Sequence, residues 1–254
     1  MPSLQITVLM ENDSRATLCA EHGLSLYLRF GGVNVLLDAG QSGRFADNAR
    51  QLNCPLEDVH MAVLSHGHYD HADGFPALFR LNPSVTVYAR PAVLEPQHDA
   101  DGRYIGLSDA LLGGYAGRFD LSDEQRSVAP GLWLVPDAVR HEQSLVAETA
   151  GGLVVMNSCC HAGADRIVAD VLSRFPGRKV RALVGGLHLM GPGGVATLGM
   201  EPGAVRALAR RLTQELGVEG IYTGHCTGAP GYALLEEESG GAVHPIHGGD
   251  VLTF

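Results

Sequence analysis

The 254-residue chain has no basic surplus: 18 lysines and arginines stand against 28 acidic residues, a formal charge of −10. Unspecific nucleic-acid binders neutralise phosphates with a basic face, so no nucleic-acid partner is expected. No apolar run approaches the ~20 residues a membrane helix needs, and no membrane association is expected. Met1 to Met10 has neither a basic segment nor a cleavable apolar run. Cysteine is sparse and odd in number, five residues at Cys19, Cys54, Cys159, Cys160 and Cys226, with no evident disulfide framework. A reducing cytoplasm is the expected location. Internal repeats, low-complexity tracts, linker composition and a Gly-x-Ser-x-Gly nucleophile motif are all missing. A single domain over 1–254 is expected, long enough for a large core.

What is there is a glycine-rich globular composition, with 33 glycines, 45% hydrophobic and 18% charged residues. Residues 5–10, 24–30 and 33–37 read as strands around the Gly31-Gly32 turn and suggest a meandering sheet. Residues 43–52 have helical spacing, with Phe45, Ala49 and Leu52 on one face. The run 61–64 is a buried strand that ends in Ser65-His66. Further on, 77–81 reads as a brief helix and 85–89 as a strand. Residues 96–123 lack periodicity, and a long loop of that kind is expected to be a lid or substrate wall. From Gly152 the pattern alternates, with strands at 153–156, 180–184 and 218–222 and helices at 165–175, 202–216 and 232–237. Early hairpins followed by strand–helix units predict an α/β chain of mixed sheets with helices outside.

Twelve histidines are the compositional oddity. His66, His68, Asp70 and His71 fall within six residues at the end of an apolar strand. Side chains two apart on extended chain point to the same side, so His66 and His68 can grip one ion together. Gly67 and the following turn let Asp70 and His71 face a second ion. A structural zinc site would favour thiolates, whereas a His/Asp set is the catalytic style. Two later strand ends offer further ligands, His161 for the first ion and His225 for the second. His188 follows an apolar strand and Gly185-Gly186, and is expected near the site edge, in a substrate-handling or catalytic role or in packing. His22 beside Glu21 is expected to form a pair that orients a ligand. Cys159 and Cys160, beside a proposed ligand, are expected as small buried residues before it, with binding of a soft metal as the alternative. His60, His98, His141, His244 and His247 show no ligand spacing and are expected to be surface or structural.

The His-x-His-x-Asp-His stretch resembles the hallmark of the metallo-β-lactamase superfamily. Asp38, in Leu37-Asp38-Ala39-Gly40, stands where that superfamily places an acidic residue supporting the metal histidines. The resemblance implies a four-layer αβ/βα sandwich, two mixed sheets flanked by helices, with two divalent metal ions along one edge. Zinc is the expected ion, with manganese or iron as alternatives. Glu11-Asn12, Glu21-His22-Gly23-Leu24-Ser25, Cys159-Cys160-His161-Ala162-Gly163, Gly185-Gly186-Leu187-His188-Leu189 and His225-Cys226-Thr227-Gly228 narrow the resemblance. They look like the branch labelled dihydropterin-ribofuranosylaminobenzene-phosphate synthase-like, a label that covers many proteins of undetermined chemistry. Most superfamily enzymes bridge the two metals with an aspartate after a late strand. Here the corresponding loop carries His161 and no aspartate before Asp165, a departure from that pattern.

A metal held by neutral histidines lowers the pKa of a bound water toward ~7. Asp70 would ligate the second ion and help orient that nucleophile. The expected reaction is hydrolysis of an ester, lactone, thioester or phosphoester in a small-molecule substrate. Synthase, lyase or redox chemistry on the same scaffold, pterin-related as the branch label implies, is the first alternative. A small-molecule sensor with a metal-bearing pocket is the second, and an intact ligand set argues against it.

Overall fold

Period-two alternation sets the layers. The computed structural model describes residues 2–15, 17–139 and 141–254. Its first strands are β1 (Leu4–Met10), β2 (Ser25–Phe30), β3 (Val33–Leu37), β4 (Met61–Val63), β5 (Val87–Ala89) and β6 (Phe119–Leu121). Then come β7 (Arg126–Ala129), β8 (Leu132–Pro136), β9 (Gln143–Thr149), β10 (Gly152–Met156) and β11 (Val180–Val184). The last are β12 (Met190–Gly191), β13 (Gly194–Leu198), β14 (Ile221–Thr223), β15 (Val243–Pro245) and β16 (Val251–Thr253). One seven-stranded sheet runs β16-β1-β2-β3-β4-β5-β6 and the other β15-β14-β11-β10-β9-β8-β7, while β12 and β13 form a separate ribbon. Both sheets are mixed. The first is antiparallel through β1, β2 and β3 and parallel from β3 to β6. The second is antiparallel from β7 to β10 and parallel across β10, β11, β14 and β15.

The two sheets share one core. Ile6, Val8, Leu26, Leu28, Val35, Leu37 and Val63 of the first meet Leu134, Leu145, Val154, Met156, Ala182 and Val184 of the second. Their strand neighbours point the other way, as the pleat requires. Tyr27, Leu36 and Ala62 join Phe45, Ala49, Phe75 and Leu78 of the helices Arg44–Gln51 and Phe75–Leu81. Val155 and Leu183 join Ile167, Val168, Val205 and Ala209 of the helices Ala164–Arg174 and Pro202–Arg210. Helix, sheet, sheet, helix is the four-layer order that the resemblance implied.

Three details near the site differ from the sequence reading, and β7, β8, β12, β13, β15 and β16 lay outside it. The stretch 96–123 is not an unstructured loop: it holds the helix Asp109–Tyr115, capped by the Ser108 side chain, and then β6. It is tied to the histidine motif, since Tyr69 N donates to Ile105 O at 2.9 Å and Ser108 N to Asp73 Oδ1 at 3.0 Å. The strand β9 had been missed, because Gln143 and Ser144 disguise a fully buried start. Gln143 is satisfied there by donating to Leu64 O (2.9 Å) and Tyr88 O (3.0 Å), which stitches the two sheets together. The helix expected over 202–216 ends at Arg210 and continues as a wider π turn, Arg211–Glu215.

Candidate metal centre

β1, β3, β4, β10, β11 and β14 all deliver their carboxyl ends to one edge of the sandwich, where loops collect. Asp38 follows β3, and Ser65 to His71 follow β4. Two glycines allow the close approaches. A Cβ on Gly67 would lie 2.8 Å from Val93 Cα, and one on Gly74 would fall on Ala39 O. The histidine motif is thereby pressed against the Asp38 loop.

Asp38 is fully buried and organises what lies around it. Its Oδ1 accepts from Ser65 N (2.7 Å), and its Oδ2 accepts from Ser65 Oγ (2.7 Å) and Ser158 Oγ (2.6 Å). The same Oδ2 lies 2.8 Å from His71 Nδ1, which leaves His71 Nε2 facing inward. There Nε2 is 3.2 Å from His225 Nε2, 3.4 Å from Asp70 Oδ2 and 3.3 Å from Cys159 Sγ. Asp70 Oδ2 is also 3.4 Å from His225 Nε2 and 3.2 Å from His22 Nε2. His225 is clamped from β1: Glu11 accepts its backbone N–H, Asn12 Nδ2 donates to its carbonyl (3.2 Å), and Asn12 Oδ1 lies 3.1 Å from its Nδ1.

A second histidine group adjoins the first. His66 Nε2 is 3.1 Å from His68 Nδ1, and the His161 ring centroid is 4.8 Å from that of His66 and 5.0 Å from that of His68. Glu142 holds His161 from behind, with Oε1 2.7 Å from Nδ1 and Oε2 accepting the backbone N–H at 2.7 Å. The His188 ring is 4.3 Å from His161, on an exposed turn. Beside these two a pocket of about 400 Å³ opens, walled by Leu187, Leu189, Met200, Ala204 and Leu208. Arg211 at its rim is already engaged by Asp165 (2.8 Å) and Glu215 (2.9 Å). A larger cavity of about 710 Å³, lined by Ala46, Arg50, Cys54 and Leu81 among others, shares none of these residues.

The charge states divide the same way. Burial pushes His66 far below the usual histidine range, and burial with neighbouring histidines pushes His68 and His161 down to about 3. These three rings are neutral at pH 7. Burial opposes the charge on Asp70, yet His71, His225 and His22 hold it well below the usual carboxylate range. Burial would also lower His225, but Asp70 and the charges of Cys226 and Glu11 raise it to about 9. Burial opposes a proton on His71 too, yet Asp70 and Asp38 outweigh it and raise that ring as well. Two N–H groups cannot face each other across 3.2 Å, so one proton is shared between the two Nε2 atoms. Burial pushes Glu142 up to about 8. Inward ring nitrogens with Asp70 among them, and the carboxyl groups of Asp38 and Glu142 behind His71 and His161, form a donor set that suits divalent cations, the protons on His225 and Glu142 leaving as an ion binds.

The profile of the metallo-beta-lactamase superfamily matches residues 20–161, more than half of the chain. The chain belongs to this superfamily. It is 25% identical over 275 aligned positions to a 7,8-dihydropterin-6-methyl-4-(beta-D-ribofuranosyl)-aminobenzene-5'-phosphate synthase of Methanocaldococcus jannaschii, covering 92% of this chain and 90% of that one. The crystal structure of a metal-dependent hydrolase of the beta-lactamase superfamily superposes with a TM-score of 0.81 at 26% identity, covering 98% of both chains. Zinc-bound PqqB of Methylobacterium extorquens shares the fold at a TM-score of 0.61 and 17% identity, over 98% of this chain and 99% of its own. No helix among the described residues is long and apolar enough to cross a membrane.

Every histidine and aspartate that the sequence reading placed at a metallo-β-lactamase centre lies on this edge. The expected Glu21–His22 pair is not formed. Glu21 turns to Ser42, accepting from its N (3.1 Å) and Oγ (2.6 Å), while His22 points to Asp70. Adjacent side chains on this bend diverge, so sequence adjacency misled. Three further residues had no assigned role at the centre, and a fourth, Cys159, had metal binding only as its less favoured one. His141, expected to be surface or structural, has its ring 5.4 Å from those of His68 and His161. Cys159, expected as a small packing residue, faces His71. Glu142 carried no signal beyond standing next to a histidine. Asn12 had been noted only as part of a branch motif.

Proposed function

We propose that this metallo-β-lactamase superfamily chain is a metal-dependent hydrolase acting on an ester, lactone, thioester or phosphoester bond of a small molecule. The observation that carries the reading is the convergence of two adjoining donor groups with carboxylates behind them. We assign His66, His68 and His161 to one divalent ion, and Asp70, His71 and His225 to a second, with His22 beside Asp70. Zinc is the first candidate, with manganese or iron as alternatives. Bound there, such ions would acidify a water toward ~7 and polarise the oxygen on which charge develops. The chain does the rest. Asp38 and Glu142 hold the outer nitrogens of His71 and His161 and so fix which lone pairs face in. In this reading Asp70 orients the attacking water, His188, 4.3 Å from the His161 ring, reaches the substrate, and the apolar pocket seats the non-reacting arm.

The likeness to the Methanocaldococcus synthase favours a second reading, pterin-related synthase chemistry on the same residues. Elemental analysis of the purified protein, then a hydrolase panel with zinc, manganese, iron or cobalt restored, separates the two. Hydrolysis should appear, with kcat/KM rising with pH along a limb that moves from metal to metal. A limb fixed across metals would assign the base to a side chain, His188 first, and would remove the acidified-water reading.

A further inference from the structure

The residue between the two donor groups is a thiol. Cys159 Sγ forms a triad with His66 and His161 on one side and another with His71 and His225 on the other, the ligand atoms of each lying within 4.8 Å of one another. It is the one side chain common to both of these triads. Its flanks are fixed: Ser158 Oγ donates to Asp38, and Asn157 Oδ1 accepts from Cys160 N at 2.7 Å while Asn157 Nδ2 donates to Ser144 Oγ at 3.0 Å. Cys160, in a left-handed conformation, packs into the apolar core beneath the second sheet. Cys159 is as buried, 3% exposed, yet belongs to none of the apolar clusters. A residue kept only for size would sit among apolar neighbours. This one faces ring nitrogens.

We propose that the Cys159 thiolate bridges the two metal ions, in the loop where the superfamily's usual aspartate is missing. The inference rests on the two-ion reading above. On binding, the S–H proton leaves to solvent and the sulfur donates lone pairs to both ions. A soft donor at the shared position favours zinc, cobalt or iron over magnesium.

Cobalt(II) titration of the metal-free full chain tests it without any substrate. A near-ultraviolet sulfur-to-cobalt charge-transfer band should grow through both equivalents, and the two ions should be magnetically coupled. Cys159→Ser should remove the band, uncouple the ions and weaken the second at least ~10-fold. Cys159→Asp should restore two coupled ions without a band, and Cys226→Ser should keep the band. Two bound cobalt ions with no band, a band saturating at one equivalent, or a band that follows Cys226 would each overturn the bridge alone. A chain that binds no cobalt would overturn the two-ion reading and the bridge with it.

Discussion

Replacing Asp38 by Asn isolates the charge behind one donor group. Asp38 sits at φ 58°, a conformation that Asn tolerates, so the backbone has no reason to move. The amide oxygen can still accept from Ser65 N, as Oδ1 does now at 2.7 Å. Its NH2 must then face His71 Nδ1, at present 2.8 Å from Oδ2. Two donors meet, unless His71 moves its proton to Nε2 and so blocks the inward lone pair. Loss of a carboxylate behind a ligand costs 10–100-fold in metal affinity, about 1.4–2.8 kcal/mol. The mismatched buried amide should destabilise the metal-free fold by a further ~1–3 kcal/mol. Glu142→Gln does the same behind His161, at 2.7 Å. The two carboxylates stand behind different donor groups, so D38N should weaken one step of a two-step chelator competition and E142Q the other. If both variants weaken the same step, or folded D38N binds both ions as tightly as the parent, the division into two sites is wrong.

His68→Ala and Asp70→Ala should stay folded by circular dichroism yet lose bound metal and most turnover; full metal and full rate in either would mean the site is misplaced. The metal-free protein should lose stability on both sides of about pH 6.5. His66, His68 and His161 have lowered folded pKa values, so their contribution is complete above the unfolded value of 6.5 and disappears as pH falls toward about 3. His225 is raised to about 9, so its contribution is complete below 6.5 and is lost as pH rises through 9. Denaturant titrations of chelated protein between pH 4 and 10 would expose a flat profile, which would contradict both shifts. Ala204→Phe should fill the pocket beside His161 and raise KM about 10-fold for substrates with a bulky apolar arm, with metal content unchanged. An equal loss across large and small substrates would show that the arm lies elsewhere.

Local signals made much of this legible. Alternation marked β1 and β2 as strands, and short apolar runs marked β3 and β4 as buried ones. His66 to His71 carried their chemistry in their spacing. What stayed hidden is long-range. His71 and His225 were expected at one ion, but they are 154 residues apart, and no periodicity announces that their Nε2 atoms face each other at 3.2 Å. Cys159 and His141 gain a place at the site, and His22 its contact with Asp70, only because separate strands end at one edge. Glu142 and Asn12 act through backbone and ring contacts of other loops, which a pattern of side-chain types does not encode. Gln143 concealed a strand because its polar end is satisfied by the opposite sheet.

The backbone adds an argument the sequence could not. Among the described residues, five other than glycine adopt positive φ, and four of them, Asp38, Cys160, His188 and His225, lie at or beside the donor groups. The fifth, Asn53, follows the end of the helix Arg44–Gln51, where Asn commonly closes a helix. At each of the four, glycine would avoid a cost of about 1–2 kcal/mol. It would also delete the side chain. At Asp38 that side chain holds His71, and at His225 it faces Asp70. At Cys160 the strained turn is what points Cys159 away from the core, and at His188 it brings the ring over His161. Strain confined to the positions whose side chains converge, while the same chain uses glycine freely at its other turns, runs from an observed outlier toward function. It is the pattern expected if binding, rather than folding, is what these residues serve.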